Sequence, residues 1–97
     1  MIQFEDLKFT EDHWNPNKII CNKHIGPGLR LSVIQGPDCY CDKHTYEVAV
    51  YLNNNIVPLN STDEVRGWQR PEDIDEILIQ MQTDPLFTHH MKEKFGK

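Results

Sequence analysis

The sequence predicts an α+β fold: an antiparallel sheet of 3 to 4 strands packed against one main helix, with a short C-terminal helix. Three observations carry this expectation. Residues 45–52 alternate in the manner of a half-buried strand, Gly- and Pro-bearing turns separate the neighbouring segments, and apolar residues after Pro71 recur with a helical period.

The opening stretch, residues 1–17, carries Phe4, Leu7, Phe9 and Trp14 without a sustained period. It reads as an arm or short strand pinned by its aromatics, and Asn15-Pro16-Asn17 ends it. Residues 18–25 form a candidate strand that runs into Gly26-Pro27-Gly28, strong turn chemistry. In the strand expected over 29–35, Leu29, Leu31 and Val33 share one face, while Arg30, Ser32 and Ile34 share the other. Gly36-Pro37-Asp38 then opens a polar loop that runs through His44.

The strand expected over 45–52 is the clearest. Tyr46, Val48, Val50 and Leu52 make one face, and β-branched and aromatic residues dominate the segment. Asn53-Asn54-Asn55 tolerates the left-handed backbone of a tight hairpin. Residues 56–59 return as a short edge strand, because Pro58 has no amide to donate to a second neighbour.

The main helix is expected over 71–83. Proline suits the first helical position, and Glu72 and Asp73 complement the positive end of the helix dipole. Ile74, Ile77, Leu78 and Met81 fall at i, i+3, i+4 and i+7, which gives one apolar stripe for the sheet. Pro85 cannot continue that helix. Asp84 is expected to cap a second one with Pro85 at its first position and Phe87, Met91 and Phe95 spaced by four. The expected core is Leu31, Val33, Tyr46, Val48, Val50, Ile74, Ile77, Leu78 and Met81.

Ninety-seven residues, 38% of them hydrophobic, make a single domain: an arm over 1–17, sheet and main helix over 18–84, and a tail or short helix over 85–97. No apolar run approaches the roughly 20 residues of a membrane span. The first residues have neither the basic flank nor the apolar run of a secretory segment. The expected location is therefore cytoplasmic, with no membrane partner.

A formal net charge of −5 argues against a domain that grips phosphate backbones through a general positive field, so direct nucleic-acid binding is not expected. The charge is uneven. Residues 1–17 sum to −3 through Glu5, Asp6, Glu11 and Asp12 against Lys8. Residues 61–84 sum to −5, with Asp63, Glu64, Glu72, Asp73, Asp75, Glu76 and Asp84 against Arg66 and Arg70. A solvated helix start accounts for part of this. The functional reading is an acidic patch that meets a basic partner.

Cys21-Asn22-Lys23-His24 and Cys41-Asp42-Lys43-His44 are both Cys-x-x-His, with sixteen residues between them and Cys39 just before the second copy. Zinc takes thiolate and imidazole ligands in tetrahedral groups of four, so Cys21, His24, Cys41 and His44 are the alternative reading, a small zinc-stabilised binding domain. The first pair falls in an expected strand, where positions three apart point to opposite faces. The expectation is accordingly no metal and no other cofactor, with Cys21 a buried thiol and Cys39 and Cys41 in a loop. An odd number of cysteines in a reducing compartment gives no reason to expect a disulfide framework.

Cys41 with His44, or Cys39 with His24, would pair a thiol with a base, but a small chain with five His and three Cys produces such neighbours by chance. His89-His90 reads as exposed helix. No phosphate-binding glycine loop, nucleophile elbow, kinase or dinucleotide fingerprint occurs, and no catalytic residues are assigned. Trp68, just before the helix, is expected to close the end of the core. Trp14, in the acidic arm, is the better candidate for an exposed anchor, although core packing is the commoner fate of both rings.

Taken in order, Phe4-Glu5-Asp6-Leu7-Lys8-Phe9, Gly26-Pro27-Gly28-Leu29-Arg30-Leu31-Ser32-Val33, Tyr46-Glu47-Val48-Ala49-Val50 and Asp63-Glu64-Val65-Arg66-Gly67-Trp68 before Pro71-Glu72-Asp73-Ile74 resemble a group of small uncharacterised accessory proteins of tailed bacteriophages. The resemblance covers residues 4–82. The Cys/His loop and the tail over 85–97 depart from it. It implies a sheet meander followed by a helix, and a product that acts inside a bacterial cell. The expected function is a non-enzymatic module that binds and modulates a bacterial host or defence protein, as an anti-CRISPR or other inhibitor does. The expected contact surface is Glu5, Asp6, Glu11, Asp12, Asp63, Glu64, Glu72 and Asp73 with Trp14 as anchor. Self-association into a homo-oligomer is left open.

Overall fold

A computed structural model describes residues 1–96. After a 3-10 turn at Phe4–Asp6 come β1 (Thr10–Glu11), β2 (Ile19–His24), β3 (Leu29–Gln35), β4 (Tyr46–Leu52), β5 (Asn55–Val57), β6 (Arg66–Gln69), α1 (Pro71–Thr83) and α2 (Phe87–Phe95). All the strand pairs are antiparallel, and β1 to β4 lie side by side in chain order. The far edge of β4 is shared: β5 pairs with Val50–Leu52, and β6 pairs with Tyr46 and Val48.

The class is α+β as expected, and the sheet is larger than expected, with six strands rather than three or four. The two added strands carried no legible period. β1 has only two residues, held by the register Thr10 to Ile20 and Glu11 to Ile19. β6 is interrupted by a register shift between its contacts with Tyr46 and Val48, so no alternation survives in Arg66-Gly67-Trp68-Gln69. β5 stops at Val57, before Pro58.

Antiparallel partners share a face of the sheet. Cys21, Val33 and Val48 stand in one row, and Leu31, Val50 and Val57 in the next. Both rows are buried under the α1 stripe of Ile74, Ile77, Leu78 and Met81, with Leu7, Ile25, Leu59 and Phe87 closing the margins. Full burial of each such aliphatic chain contributes about 1.5–3 kcal/mol, which makes this layer the main source of stability. Tyr46, expected in the core, is half-buried instead. Its ring packs at the rim with Phe4 at 5.2 Å and Phe9 at 5.5 Å, and so pins the N-terminal arm to the sheet.

The main helix spans Pro71–Thr83 as expected. The second helix starts at Phe87, two residues later than expected. Asp84 still serves its entry: Oδ1 accepts from the Leu86 amide at 2.9 Å and the main-chain carbonyl accepts from Phe87 at 3.1 Å. Pro85 and Leu86 form the turn between the helices. Lys97, the end of the expected tail, lies outside the described residues. Among the described residues no helix is long and apolar enough to cross a membrane.

Candidate functional site

The acidic residues of the arm and the helix come together through two backbone anchors. Phe4 donates its amide to Asp75 Oδ1 at 2.6 Å, and Ile2 donates to Gln82 Oε1 at 2.7 Å while Gln82 Nε2 donates back to the Ile2 carbonyl at 2.8 Å. The 3-10 turn is thereby docked along α1. Within the turn, Asp6 Oδ2 accepts from the Gln3 amide at 2.9 Å, which holds its carboxylate at the surface. Glu5, Asp6, Glu72 and Glu76 are exposed and Asp75 is half-buried beneath them. Glu72 and Glu76 are one helical turn apart, so they share a face of α1.

Among the described residues no Lys or Arg side chain pairs with a carboxylate. The close contacts are both with histidine: His90 Nδ1 with Asp84 Oδ2 at 2.6 Å, and His89 Nε2 with Glu93 Oε1 at 3.1 Å. Among the described residues the acidic face therefore has no close cationic partner.

The other residues of the expected contact surface are placed differently. Asp73 belongs to the helix start: its Oδ2 accepts from the Arg70 amide at 2.9 Å. Burial lowers the pKa of the nearby Arg66 guanidinium, and the Asp73 charge partly opposes that shift. Arg66 in turn donates twice to the Leu59 carbonyl, at 3.2 and 2.8 Å, and closes the base of the loop between β5 and β6. Asp63 and Glu64 sit exposed on that loop. Glu11, Asp12 and Trp14 belong to the β1 edge and the turn after it, where Trp14 is 87% exposed and its ring lies edge-on to His13. Among the described residues no direct hydrogen bond joins these three groups to one another. Asp75 and Gln82 were not expected to matter, since nothing in the sequence marks which helix residue will receive an amide from the arm.

Trp68 corrects the expectation that it closes the core. It is 60% exposed and stands beside Tyr40, 52% exposed, with ring centroids 5.9 Å apart.

The two Cys-x-x-His pairs do not converge. Cys21 is 4% exposed on the core face of β2, where burial raises its thiol pKa, whereas His24 is exposed on the opposite face beside the β2–β3 turn. Cys41 and His44 lie in the β3–β4 loop at the other end of the sheet. Among the described residues no three His, Cys, Asp or Glu side chains are grouped to hold a metal ion. The sulfurs of Cys39 and Cys41, expected as loop cysteines, meet as a disulfide and lie 3.1 and 3.7 Å from the Gly36 carbonyl oxygen. Such a link closes only a one-residue loop. It is a local clip and not a framework. No protein-family model matches this chain, and neither a curated protein nor a solved structure matches it.

Proposed function

We propose that this protein is a non-enzymatic interaction module that binds a basic surface on a bacterial host or defence protein. The bacterial and phage setting rests on the resemblance of residues 4–82 to phage accessory proteins. The contact face is the acidic one built by Glu5, Asp6, Glu72, Asp75 and Glu76. The observation that carries the reading is the docking of the acidic 3-10 turn on the acidic half of α1 without a Lys or Arg partner among the described residues. Gathering like charges works against folding, and a complementary partner relieves that repulsion while its field speeds encounter. The exposed pair Asp63 and Glu64, and Trp14 with Glu11 and Asp12, extend the acidic character to two further loops.

The reading is tested by capture from bacterial lysate with the full chain as bait, against a variant carrying Glu5→Lys, Glu72→Lys and Glu76→Lys. The expected result is a captured protein that the variant loses, with an association rate that falls as salt rises because the attraction is screened over about 8 Å at physiological ionic strength. Equal capture by both baits would remove this face from consideration.

A further inference from the structure

The exposed ring pair of Tyr40 and Trp68 is held in place at a conformational cost that core packing does not explain. Trp68 has φ +50°, a left-handed backbone that a bulky residue rarely adopts, at the interruption of β6. Its amide donates to the Tyr40 carbonyl at 2.7 Å. Gly67 lies so close that a Cβ there would stand 2.6 Å from the Tyr40 Cβ and carbonyl oxygen. Tyr40 itself is held between the paired Cys39 and Cys41. Two large rings are thus fixed in position and left open to solvent, where they gain little from burial. Strain kept at an exposed position points to a role in recognition.

The surroundings of the rings narrow what would be recognised. With Asn60, Thr62, Asp63 and Val65 they line a cleft of about 210 Å³. That is below the roughly 300 Å³ at which small-molecule pockets begin, and it suits a single inserted side chain. One Asp63 oxygen accepts from the Glu64 amide at 2.7 Å, and its other oxygen has no hydrogen-bond partner among the described residues. Ring faces attract cations, and a carboxylate beside them completes the charge match. A planar guanidinium meets both at once, since it stacks on a ring and forks to a carboxylate, which a lysine ammonium cannot do. The protein already uses the stacking half of this arrangement internally, where the Arg30 guanidinium lies 4.3 Å over the Tyr51 ring.

We propose that the cleft lined by Tyr40, Trp68 and Asp63 is a binding site for an arginine side chain of a partner protein, which stacks on the exposed face of the ring pair with Asp63 as the counter-charge. The proposal shares with the preceding section the expectation of a basic partner. It is tested with a defined peptide, so its failure would leave the acidic face on α1 untouched, and the reverse holds too.

The probe is acetyl-Gly-Arg-Gly-amide titrated into the full chain, read in amide and indole proton–nitrogen spectra. The expected result is a saturable shift of the Trp68 indole resonance and of the Tyr40, Asp63 and Gly67 amides, with the Trp14 indole unmoved. The lysine peptide should bind several-fold more weakly and the triglycine peptide not at all. Trp68→Gly, which keeps the left-handed backbone, should abolish the response, and Asp63→Asn should weaken it by about threefold to tenfold. Tyr40→Leu, which retains bulk without the ring, provides a second variant if Trp68→Gly fails to give a folded spectrum, and should weaken binding comparably. The absence of any saturable shift, equal response to the neutral peptide, binding retained by Asp63→Asn and Tyr40→Leu alike, or a response to single-stranded oligothymidylate in its place would overturn the proposal.

Discussion

The main-chain amide of Phe4 donates to the carboxylate of Asp75 at 2.6 Å, across 71 positions of sequence. This bond does more than tether an arm. It sets Glu5 and Asp6 beside the carboxylates of α1 and brings Phe4 against Tyr46. Removing the acceptor should release the arm. Asp75→Ala is expected to cost about 1–2 kcal/mol, the range of a hydrogen bond to a charged group offset by relief of local repulsion. Hydrogen exchange should speed up at the Ile2 and Phe4 amides while the β3 and β4 amides keep their protection. Asp75→Asn, which keeps an acceptor oxygen, should lose less.

The stability of the sheet is expected to rest on the layer beneath α1. Leu78 is fully buried among the helix and sheet residues, so Leu78→Ala should destabilise by about 2–5 kcal/mol in denaturant titration. Ile79→Ala, one position along and exposed, should change stability by well under 1 kcal/mol. A comparable loss at both positions would contradict the assignment of the buried face.

Acid sensitivity should be traceable to Asp84 and Asp42. The hydrogen bond with His90, then the Leu86 amide, holds Asp84 below its ordinary pKa. The His44 amide, then the Thr45 hydroxyl, does the same for Asp42. A carboxylate with a depressed folded pKa contributes stability at pH values above its unfolded pKa. That contribution fades as pH falls through the folded value, here below about pH 4. Thermal melts from pH 6 to pH 3 should therefore show a steeper acid loss for the native protein than for Asp84→Asn, which starts lower and declines less.

Cys21, the free thiol among the described residues, should be protected from reagents. Cys21 is buried against the core and its pKa is raised by burial, so a thiol reagent should modify it only as fast as the protein opens. Labelling at a rate independent of added denaturant would show that β2 does not bury this residue.

What the sequence made legible follows from how strongly each element is patterned. β3, β4 and α1 carry full periods, and their limits Leu29–Gln35, Tyr46–Leu52 and Pro71–Thr83 lie at or within one residue of those expected. Asn53 and Asn54 both take positive φ, as the hairpin chemistry required. β6 was invisible, and β1 could be read only as an arm or short strand, because short, irregular edge strands are set by their neighbours' free hydrogen-bonding groups and not by their own alternation. The acidic residues were legible one at a time, yet their grouping was not. Which of them meet depends on the long-range bonds of Phe4 and Ile2 to α1, and Asp73 turned out to be occupied by the helix start. The placement of Trp68 could not be read either, since nothing in Arg66-Gly67-Trp68 announces a left-handed tryptophan held against Tyr40.

The most direct test of the acidic face is the salt dependence of association between the full chain and whichever protein it captures from bacterial lysate, compared with the Glu5→Lys, Glu72→Lys and Glu76→Lys variant verified to be folded. The native protein should associate progressively more slowly between low and physiological salt, and the variant should associate slowly at every salt concentration. An association rate that neither salt nor charge reversal changes would contradict the claim that this face makes the contact.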